Sequence, residues 1–354
     1  MMNIDFNLPE RLIARQPSGK RDRCKMLVVD RTTGAIHHTI FDRLNTFIDD
    51  SYFLVLNQAR VNPTRIFWTD LKNKKQEIVF LKHIADQKNA STWEAIVSGK
   101  NLKPVLPYTI DGDVTFKLLK DRENSIAHIE VNRIKKNVEQ LLAQKGQLPL
   151  PPYILSQRRA DGVAEYTKQD EQQYQTVFSK TPGAVASPTA GLHFTDETFA
   201  ALKEKEIDWD FIHLSVGWGT FAPLNQNHFD TKKLHPEFCS VSKQTAQHIL
   251  SAKQKDKKIL AVGTTVVRTL ESWAQKGLDE NGFEGKTEIF IVPPYDFKVA
   301  NAMLTNFHIP NSSLLLLVAA FLGKNGEQKI KEIYNQAIEM NYQFYSYGDC
   351  MLIL

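Results

Sequence analysis

The feature of this sequence that most constrains its fold is a cluster of prolines near the middle of the chain, Pro149, Pro151 and Pro152. Proline has no backbone N–H and cannot continue a helix or a central strand, so the cluster marks a boundary. Pro63 marks a second boundary, and a chain of 354 residues is long enough for two domains. The boundaries predict a discontinuous domain, residues 1–62 and 151–354, into which residues 63–150 are inserted.

The inserted segment has the pattern of a small β domain. Turn-forming residues such as Asp111-Gly112-Asp113 separate short β-like runs, which stand at 77–81, 93–97, 114–118 and 126–131. Several short strands at this spacing predict an all-β barrel or sandwich. The segment has 15 Lys and Arg against 10 Asp and Glu. This excess is compatible with a phosphate-facing surface or with an ordinary solvated lysine face.

The flanking segments alternate strands with helices. Strands are predicted from the apolar runs at 26–29, 52–56, 211–216, 259–262 and 288–292. Thr195 is suited to cap a helix that runs to about residue 205, and Ser242 is suited to cap one that runs to about residue 255. Further helices are predicted at 264–275, 312–322 and 327–340. The polar segment 156–171 is predicted to be a mobile loop. The predicted fold class is α/β: a discontinuous α/β domain with an inserted all-β barrel-like domain.

Composition excludes several classes of protein. The longest apolar run, 314–322, has nine residues, about half of what spans a bilayer, and the polar N-terminus does not resemble a signal peptide. Cys24, Cys239 and Cys350 are odd in number and have no metal-ligand spacing. We therefore expect a cytoplasmic protein with free thiols, without a metal site and without membrane association.

The common catalytic signatures are absent. The sequence has no G-x-x-x-x-G-K-[ST], G-x-G-x-x-G, H-E-x-x-H or G-x-S-x-G motif. Hydrolysis of nucleoside triphosphates by a P-loop, Rossmann-type hydride transfer, zincin chemistry and the α/β-hydrolase mechanism are therefore disfavoured.

Residues 183–195 combine small side chains with one imidazole, that of His193, directly before a predicted helix. Small residues such as Gly191 let a ligand approach backbone N–H groups, and a helix N-terminus favours anionic groups. Thr189 adds a hydroxyl group to the same segment. His193 is suited to proton transfer near neutral pH, and the alternative is a structural histidine in a tight turn.

Residues 213–221 contain Gly217 and Gly219 on either side of Trp218, followed by Thr220 and Phe221. The glycines permit backbone geometries that other residues avoid, and the aromatic rings can stack on a base or simply close a core.

Residues 261–271 run from a strand through Gly263 into a helix. This order places Thr265 and Arg268 near the carboxyl end of a strand, where open α/β sheets bind ligands. Arg268 and Glu271 are three residues apart on one helix face, so a structural ion pair between them is the alternative.

Three shorter patterns add titratable and polar groups. His235 and Glu237 stand two residues apart in an extended stretch that suits acid–base chemistry or a polar clamp. Asn306 and His308 lie in one compact polar segment, and Asp349 lies in another near the C-terminus. Each of these segments can also be an ordinary turn.

Long motifs then point to a family. They are SPTAGLHFT at 187–195, VGWGTF at 216–221, AVGTTVVRTLES at 261–272, TNFHIP at 305–310 and YSYGDCMLI at 345–353. In this order they resemble the S-adenosylmethionine:tRNA ribosyltransferase-isomerase family of queuosine biosynthesis. The resemblance includes LPERLIARQP near the N-terminus, NQARVNPTRI at 57–66, LPPYI at 150–154 and YQTVF at 174–178, so it spans essentially the whole chain.

The resemblance implies a discontinuous α/β domain with an inserted β-barrel and a defined reaction. S-adenosylmethionine is a co-substrate that donates its ribosyl group, and no cofactor is required. A base removes a proton from the ribose 5′ carbon, which the sulfonium acidifies, and adenine is expelled. The aminomethyl nitrogen of 7-aminomethyl-7-deazaguanine at the tRNA wobble position attacks. Methionine leaves as an epoxide closes, and the product is epoxyqueuosine in tRNA.

The resemblance also implies site residues and partners. The candidate catalytic residues are His193, His235, Glu237 and Asp349. The candidate substrate-binding residues are Arg60, Arg65, Thr189, Gly191, Gly217, Gly219, Thr220, Thr265, Arg268, Asn306 and His308. Which group is the base and which the acid stays open. The expected partners are tRNA and S-adenosylmethionine, and the protein is expected to be a monomer.

The sequence departs from the usual family pattern in places. Gln58-Ala59 stands where Asp–Thr is usual, Cys24-Lys25 stands where Ser–Arg is usual, and the stretch 155–171 is longer than usual. Two alternatives are therefore kept. One is a diverged paralogue that acts on another 7-deazaguanine or nucleoside, and the other is a non-catalytic RNA-binding homologue.

Overall fold

Two large sheets organise the chain. The computed structural model describes residues 4–17, 19–70, 72–99, 102–104, 106–112, 114–120, 126–132, 137–217 and 224–354. One structural unit consists of Met1–Arg60 and Pro152–Leu354, and a second unit consists of Val61–Pro151.

Among the described residues, the strands in chain order are β1 (Lys25–Val29), β2 (Ile36–Ile40), β3 (Tyr52–Asn57), β4 (Ala59–Val61), β5 (Arg65–Thr69), β6 (Lys75–Gln87), β7 (Ala90–Val97), β8 (Tyr108–Asp111), β9 (Val114–Leu118), β10 (Ile126–Asn132), β11 (Thr181–Ala184), β12 (Asp208–Leu214), β13 (Lys233–Val241), β14 (Lys258–Val262), β15 (Phe283–Ile289), β16 (Ala302–Asn306) and β17 (Cys350–Ile353). The α-helices are α1 (Val138–Lys145), α2 (Pro152–Ala160), α3 (Lys168–Gln173), α4 (Asp196–Glu204), α5 (Gln226–Thr231), α6 (Lys243–Gln254), α7 (Thr264–Gln275), α8 (Ser313–Phe321) and α9 (Gly326–Glu339). Short 3-10 helices lie at Glu10–Leu12, Arg21–Arg23, Phe41–Thr46 and Thr189–His193.

The sheet of the first unit is mixed and has hydrophobic cores on both faces. Its strand order is β15-β13-β12-β3-β14-β16-β17-β1-β2, and β12, β3, β14 and β16 are parallel neighbours at its centre. Side chains alternate along β1. Leu27 and Val29 pack into the core that contains α6 to α9, whereas Met26 and Val28 pack into the core on the other face. Strand β3 is buried along its whole length, as expected for a central parallel strand.

The sheet of the second unit is antiparallel and barrel-like. Its order is β5-β6-β7-β10-β9-β8. The Trp68 ring on β5 lies 5.2 Å, centroid to centroid, from the Tyr108 ring on β8. The two edge strands therefore meet across one core. Val138 and Leu141 of α1 also enter this core, and Asn137 and Gln140 form a capping box at the start of the helix. The all-β prediction for this segment was wrong in that respect, because α1 packs Val138, Leu141 and the partly buried Leu142 against the core.

Most predicted helices of the first unit are confirmed. Helix α7 has the predicted bounds, and α4 and α6 begin directly after the predicted caps. The Thr195 and Ser242 hydroxyl oxygens accept the N–H groups of Thr198 and Thr245 at 3.2 and 3.1 Å. The strand predicted at 288–292 was misplaced, because β15 ends at Ile289. Phe290 and Ile291 are buried but lie outside any strand. Their apolar side chains therefore reflect burial in the core and not strand pairing.

The mobile loop predicted at 156–171 is wrong. The segment contains the second half of α2 and the start of α3. The Arg158 guanidinium makes two hydrogen bonds of 2.8 Å to the Asp170 carboxylate. Both side chains are buried. The prediction failed because this packing is polar, and a search for apolar periodicity does not detect a buried ion pair.

The longest apolar run forms buried helix α8. Its residues from Leu315 to Phe321 all belong to one core, and the Ser312 hydroxyl accepts the N–H of Leu315 at 3.2 Å. In the part of the chain that the structure describes, no helix combines the length and the hydropathy that crossing a bilayer requires.

We predict that Asp170→Asn lowers the free energy of unfolding by about 3–5 kcal/mol, because it leaves the buried Arg158 guanidinium without its counter-charge. Urea denaturation measures the loss. The matched control is Glu165→Gln, which removes the exposed pair to Arg159 at 2.9 Å and should cost less than about 1 kcal/mol. Equal effects of the two substitutions would contradict the assigned role of the buried pair.

The same pair predicts a pH dependence. Burial works to raise the pKa of Asp170, but the hydrogen bonds from Arg158 and Thr167 outweigh it, and the pKa is lowered. A lowered folded-state pKa stabilises the protein above the ordinary Asp pKa of about 3.9, and this contribution is lost as the pH falls through the folded-state pKa. The stability difference between the protein and Asp170→Asn should therefore narrow below about pH 4.

Candidate active site

The small-residue segment forms a buried turn that carries His193. Residues Thr189–His193 make one 3-10 turn, in which Ala190, Gly191, Leu192 and His193 are buried. A Cβ atom at Gly191 would lie 2.8 Å from Cζ of Phe178, so close packing alone explains the glycine. Thr189 is half-buried at the start of the turn.

The imidazole of His193 is held on both sides. Its Nδ1 lies 3.1 Å from Sγ of Cys24, and its Nε2 lies 3.1 Å from Nδ2 of Asn306. With the Asn306 amide in this orientation Nε2 accepts its N–H, and a neutral ring then carries its proton on Nδ1, toward the sulfur. Sγ of Cys24 is 4.0 Å from Sγ of Cys350. All four side chains are buried.

The thiols and the imidazole shift one another's pKa values. The hydrogen bond from Cys350 lowers the pKa of Cys24 to about 6. Burial works to lower the pKa of His193, but the charge of Cys24 outweighs it and raises the pKa. Burial raises the pKa of Cys350. Cys24 is therefore the acidic thiol of the pair and is poised to exchange a proton with His193.

Asp349 lies close to His193, but its carboxylate accepts hydrogen bonds from backbone N–H groups. Its Oδ1 accepts the N–H of Lys25 and its Oδ2 accepts the N–H of Gln343, both at 2.7 Å. Burial raises the pKa of Asp349. The backbone oxygen of Asp349 lies 3.5 Å from Nδ2 of Asn306, which joins the two residues to the same cluster.

A cleft gives this cluster access to solvent. Cys24 and His193 line it together with Arg21, Leu192, Ser346 and Tyr347. Cys350 is not among the lining residues and lies behind Cys24.

A second polar cluster surrounds Arg268. The Arg268 Nη1 atom pairs with the Glu237 carboxylate, whose other oxygen accepts the N–H of Gly217 at 2.8 Å. Arg268 is 3% exposed, and within the described residues its Nε and Nη2 atoms have no hydrogen-bond partner. Two buried guanidinium donors thus remain open to a ligand.

The alternative pair between Arg268 and Glu271 is excluded. The Glu271 carboxylate instead accepts the backbone N–H groups of Lys298, Val299 and Ala300 at 2.9, 3.0 and 3.2 Å. Glu271 therefore anchors the loop before β16.

Thr265 lies in the first turn of α7, at the carboxyl end of β14. Gly263 precedes the helix with φ of 100°, a conformation that favours glycine. The Thr265 hydroxyl accepts a 3.3 Å hydrogen bond from Nδ2 of Asn57, at the end of β3. The ends of two neighbouring parallel strands therefore meet at this helix start, as predicted for a ligand site of an open sheet.

Several predicted site residues lie apart from both clusters. His235 is exposed, and its ring lies 5.7 Å from that of His228. The register of β13 shifts between Lys233 and Glu237, so His235 does not share the buried position of Glu237. His308 Nε2 lies 3.0 Å from the Thr305 hydroxyl oxygen, and burial lowers the pKa of His308 to about 4. A proton-transfer role for His235 stays a prediction.

The two predicted arginines before and after Pro63 differ in environment. Arg60 is exposed on β4. Arg65 is buried in the second unit, where its Nε and Nη2 atoms lie 2.8 and 2.7 Å from Glu77. The guanidinium also stacks on the Phe67 ring at 4.7 Å. Gly219 and Thr220, like Trp218 and Phe221, lie outside the described residues.

Sequence reasoning missed three members of these clusters, Cys24, Cys350 and Asn57. Cys24 and Cys350 are far from His193 along the chain and reach it through the neighbouring strands β1 and β17. The unusual Cys24-Lys25 pair was the available signal, but spacing alone does not connect it to His193.

Comparison with known proteins places the whole chain in one group. A family model described as queuosine biosynthesis protein matches residues 1–353. S-adenosylmethionine:tRNA ribosyltransferase-isomerase from Sulfurihydrogenibium sp. is 39% identical over 100% of this chain and 99% of its own. The Aquifex aeolicus protein of the same name is 37% identical over 99% and 98% of the two chains. The crystal structure of S-adenosylmethionine tRNA ribosyltransferase from Thermotoga maritima is 29% identical with a TM-score of 0.55, and covers 99% of both chains.

Proposed function

The chain belongs to the queuosine biosynthesis protein family and is an S-adenosylmethionine:tRNA ribosyltransferase-isomerase, and we propose that the base it modifies is 7-aminomethyl-7-deazaguanine. The observation that carries the assignment is the match to relatives of that name over 100% of this chain and 99% of theirs. Queuosine biosynthesis, predicted from the motifs, is confirmed at the level of the family.

We assign the reaction to the first unit, with the second unit as an inserted domain. The polar clusters around His193 and Arg268 both belong to the first unit. S-adenosylmethionine is a co-substrate in this proposal, and monomeric association and a cytoplasmic location stay predictions.

His193 is proposed to move a proton in the reaction. The chemistry requires a base for the ribose 5′ C–H bond and a proton donor for departing adenine. The His193 ring lines the cleft, is held in one orientation by Asn306, and shares a proton with Cys24. Asp349 supports this site through its contacts to Lys25 and Gln343.

Arg268 is proposed to bind the methionyl carboxylate of S-adenosylmethionine. This carboxylate is the anionic group of the donor, and a guanidinium with two open donors suits planar recognition of a carboxylate. Glu237 holds the guanidinium from the other side, and Gly217 holds Glu237. Thr265 contributes a hydroxyl group at the start of α7.

The proposed reaction predicts adenine and methionine as products. Both should form from S-adenosylmethionine in equal amounts when tRNA carrying 7-aminomethyl-7-deazaguanine is added. Liquid chromatography of the quenched mixture measures them. Matched controls contain tRNA with unmodified guanine at the same position. S-adenosylhomocysteine as the main product would show methyl transfer and contradict the proposal.

Replacing the imidazole should slow the chemical step. His193→Ala is expected to lower kcat by about 100-fold or more, the usual contribution of a proton-transfer group. The matched control is His248→Ala, because His248 is an exposed histidine paired with Asp210 at 2.8 Å. If a correctly folded His193→Ala protein had the kcat of the wild-type enzyme, His193 would have a structural role and the proposed proton transfer would be wrong.

Arg268→Lys separates the ligand contact from the ion pair. Lysine keeps a positive charge for Glu237 but lacks the fork of open donors. The loss of charged hydrogen bonds to the donor should raise the KM for S-adenosylmethionine by about 10- to 100-fold. The KM for tRNA is the internal control. An unchanged KM for S-adenosylmethionine in the folded variant would refute the assignment.

A further inference from the structure

Three potential metal ligands converge beside the cleft. Sγ of Cys24 lies 3.1 Å from Nδ1 of His193 and 4.0 Å from Sγ of Cys350. One donor atom from each residue lies within 4.8 Å of the other two. All three side chains are buried.

For two of the three pairs of donor atoms, the spacing is close to that of a tetrahedral metal centre. Zinc binds cysteine sulfur at about 2.3 Å and histidine nitrogen at about 2.0 Å. Tetrahedral angles then separate two sulfurs by about 3.8 Å, and a sulfur from a nitrogen by about 3.5 Å. The observed 4.0 and 3.1 Å differ from these values by a few tenths of an ångström. Small rotations of the side chains can make up such differences.

Asn306 provides an independent observation. Within the described residues its Oδ1 atom is buried without a hydrogen-bond partner, and its amide group lies against Nε2 of His193. A metal ion on Nδ1 moves the ring proton to Nε2, which then needs an acceptor. A half-turn of the amide exchanges its two terminal atoms and places the oxygen there. The amide is therefore suited to the outer contact that a ligating histidine makes.

We propose that Cys24, His193 and Cys350 form a binding site for a thiophilic divalent metal ion of the zinc class. Binding releases two protons from the cluster and leaves two thiolates and a neutral imidazole as the three ligands. Two thiolates balance the charge of the ion, which suits a buried position. Cys24 and His193 line the cleft, so the ion has an entry path and a fourth ligand can come from that side.

This site goes beyond the proposed function and has a consequence for it. The metal ion occupies Nδ1 of His193, the atom that otherwise shares a proton with Cys24. The metal-bound protein should therefore be inactive in proton transfer at His193. Binding itself is measured without either substrate, so it can succeed or fail independently of the reaction.

Cobalt(II) is the first probe, added to reduced protein without oxygen. A tetrahedral centre with thiolate ligands gives intense visible bands and sulfur-to-cobalt charge-transfer absorption, and both should saturate at one ion per chain. Zinc(II) should then displace cobalt and abolish the visible bands. A folded, reduced protein that shows no tetrahedral cobalt spectrum would overturn the proposal.

Variants locate the site. Cys24→Ser and Cys350→Ala should each weaken metal binding by more than about 100-fold, beyond the loss typical of an outer contact. Asn306→Leu should weaken it by about 10- to 100-fold. The matched control is Cys239→Ser, because Cys239 is also buried but lies in β13, outside the cluster.

The outcomes are distinguishable even if one variant is unstable. Circular dichroism and the thermal midpoint establish which variants fold. If Cys350→Ala does not fold, the metal binding of Cys24→Ser tests the site. Loss of the cobalt spectrum in Cys24→Ser with retention in Cys239→Ser supports the site. Retention in both, or loss in Cys239→Ser alone, contradicts it.

Discussion

The side-chain amide of Asn57 connects the strands and the helix on which the first unit depends. Its Nδ2 donates to the Leu214 backbone oxygen at 3.0 Å and to the Thr265 hydroxyl at 3.3 Å. Its Oδ1 accepts the N–H groups of Ala59 and Leu214, both at 3.1 Å. A buried amide with all these contacts fixes the ends of β3 and β12 against the start of α7. The Arg268 cluster is then placed by rigid elements and not by a free loop.

The sequence predicts those parts of the fold in which local signals agree with the packing. Helix α7 follows a strand and a glycine, and α6 follows a capping serine, so their bounds were predictable. The segment 156–171 was not, because its order comes from the buried contact between Arg158 and Asp170. Hydropathy does not distinguish such a pair from a solvated polar loop. Helix α1 has only eight residues, which is too short for its apolar period to signal a helix.

In the site, too, local sequence signals indicate single residues, whereas long-range contacts decide their partners. His193, Glu237 and Arg268 could be named from the sequence, because each stands in a segment that also contains turn-forming or polar neighbours. Their partners could not be assigned. The three-residue spacing allows a pair between Arg268 and Glu271, but Arg268 contacts Glu237 on β13, and Glu271 holds the loop before β16. Long-range strand pairing, which places β17 beside β1, also brings Cys350 to Cys24.

Two states of the cluster around His193 follow from the same contacts. In the hydrogen-bonded state the imidazole shares a proton with Cys24, and the amide of Asn306 donates to its other nitrogen. In the proposed metal-bound state two protons have left, the imidazole proton lies on Nε2, and the Asn306 amide is turned over. Because the two thiolates balance the charge of the ion, the metal acts on the reaction through the imidazole, whose Nδ1 atom it occupies. The metal ion is therefore expected to block proton transfer at His193, whereas the proposed contact between S-adenosylmethionine and Arg268 involves none of the metal ligands.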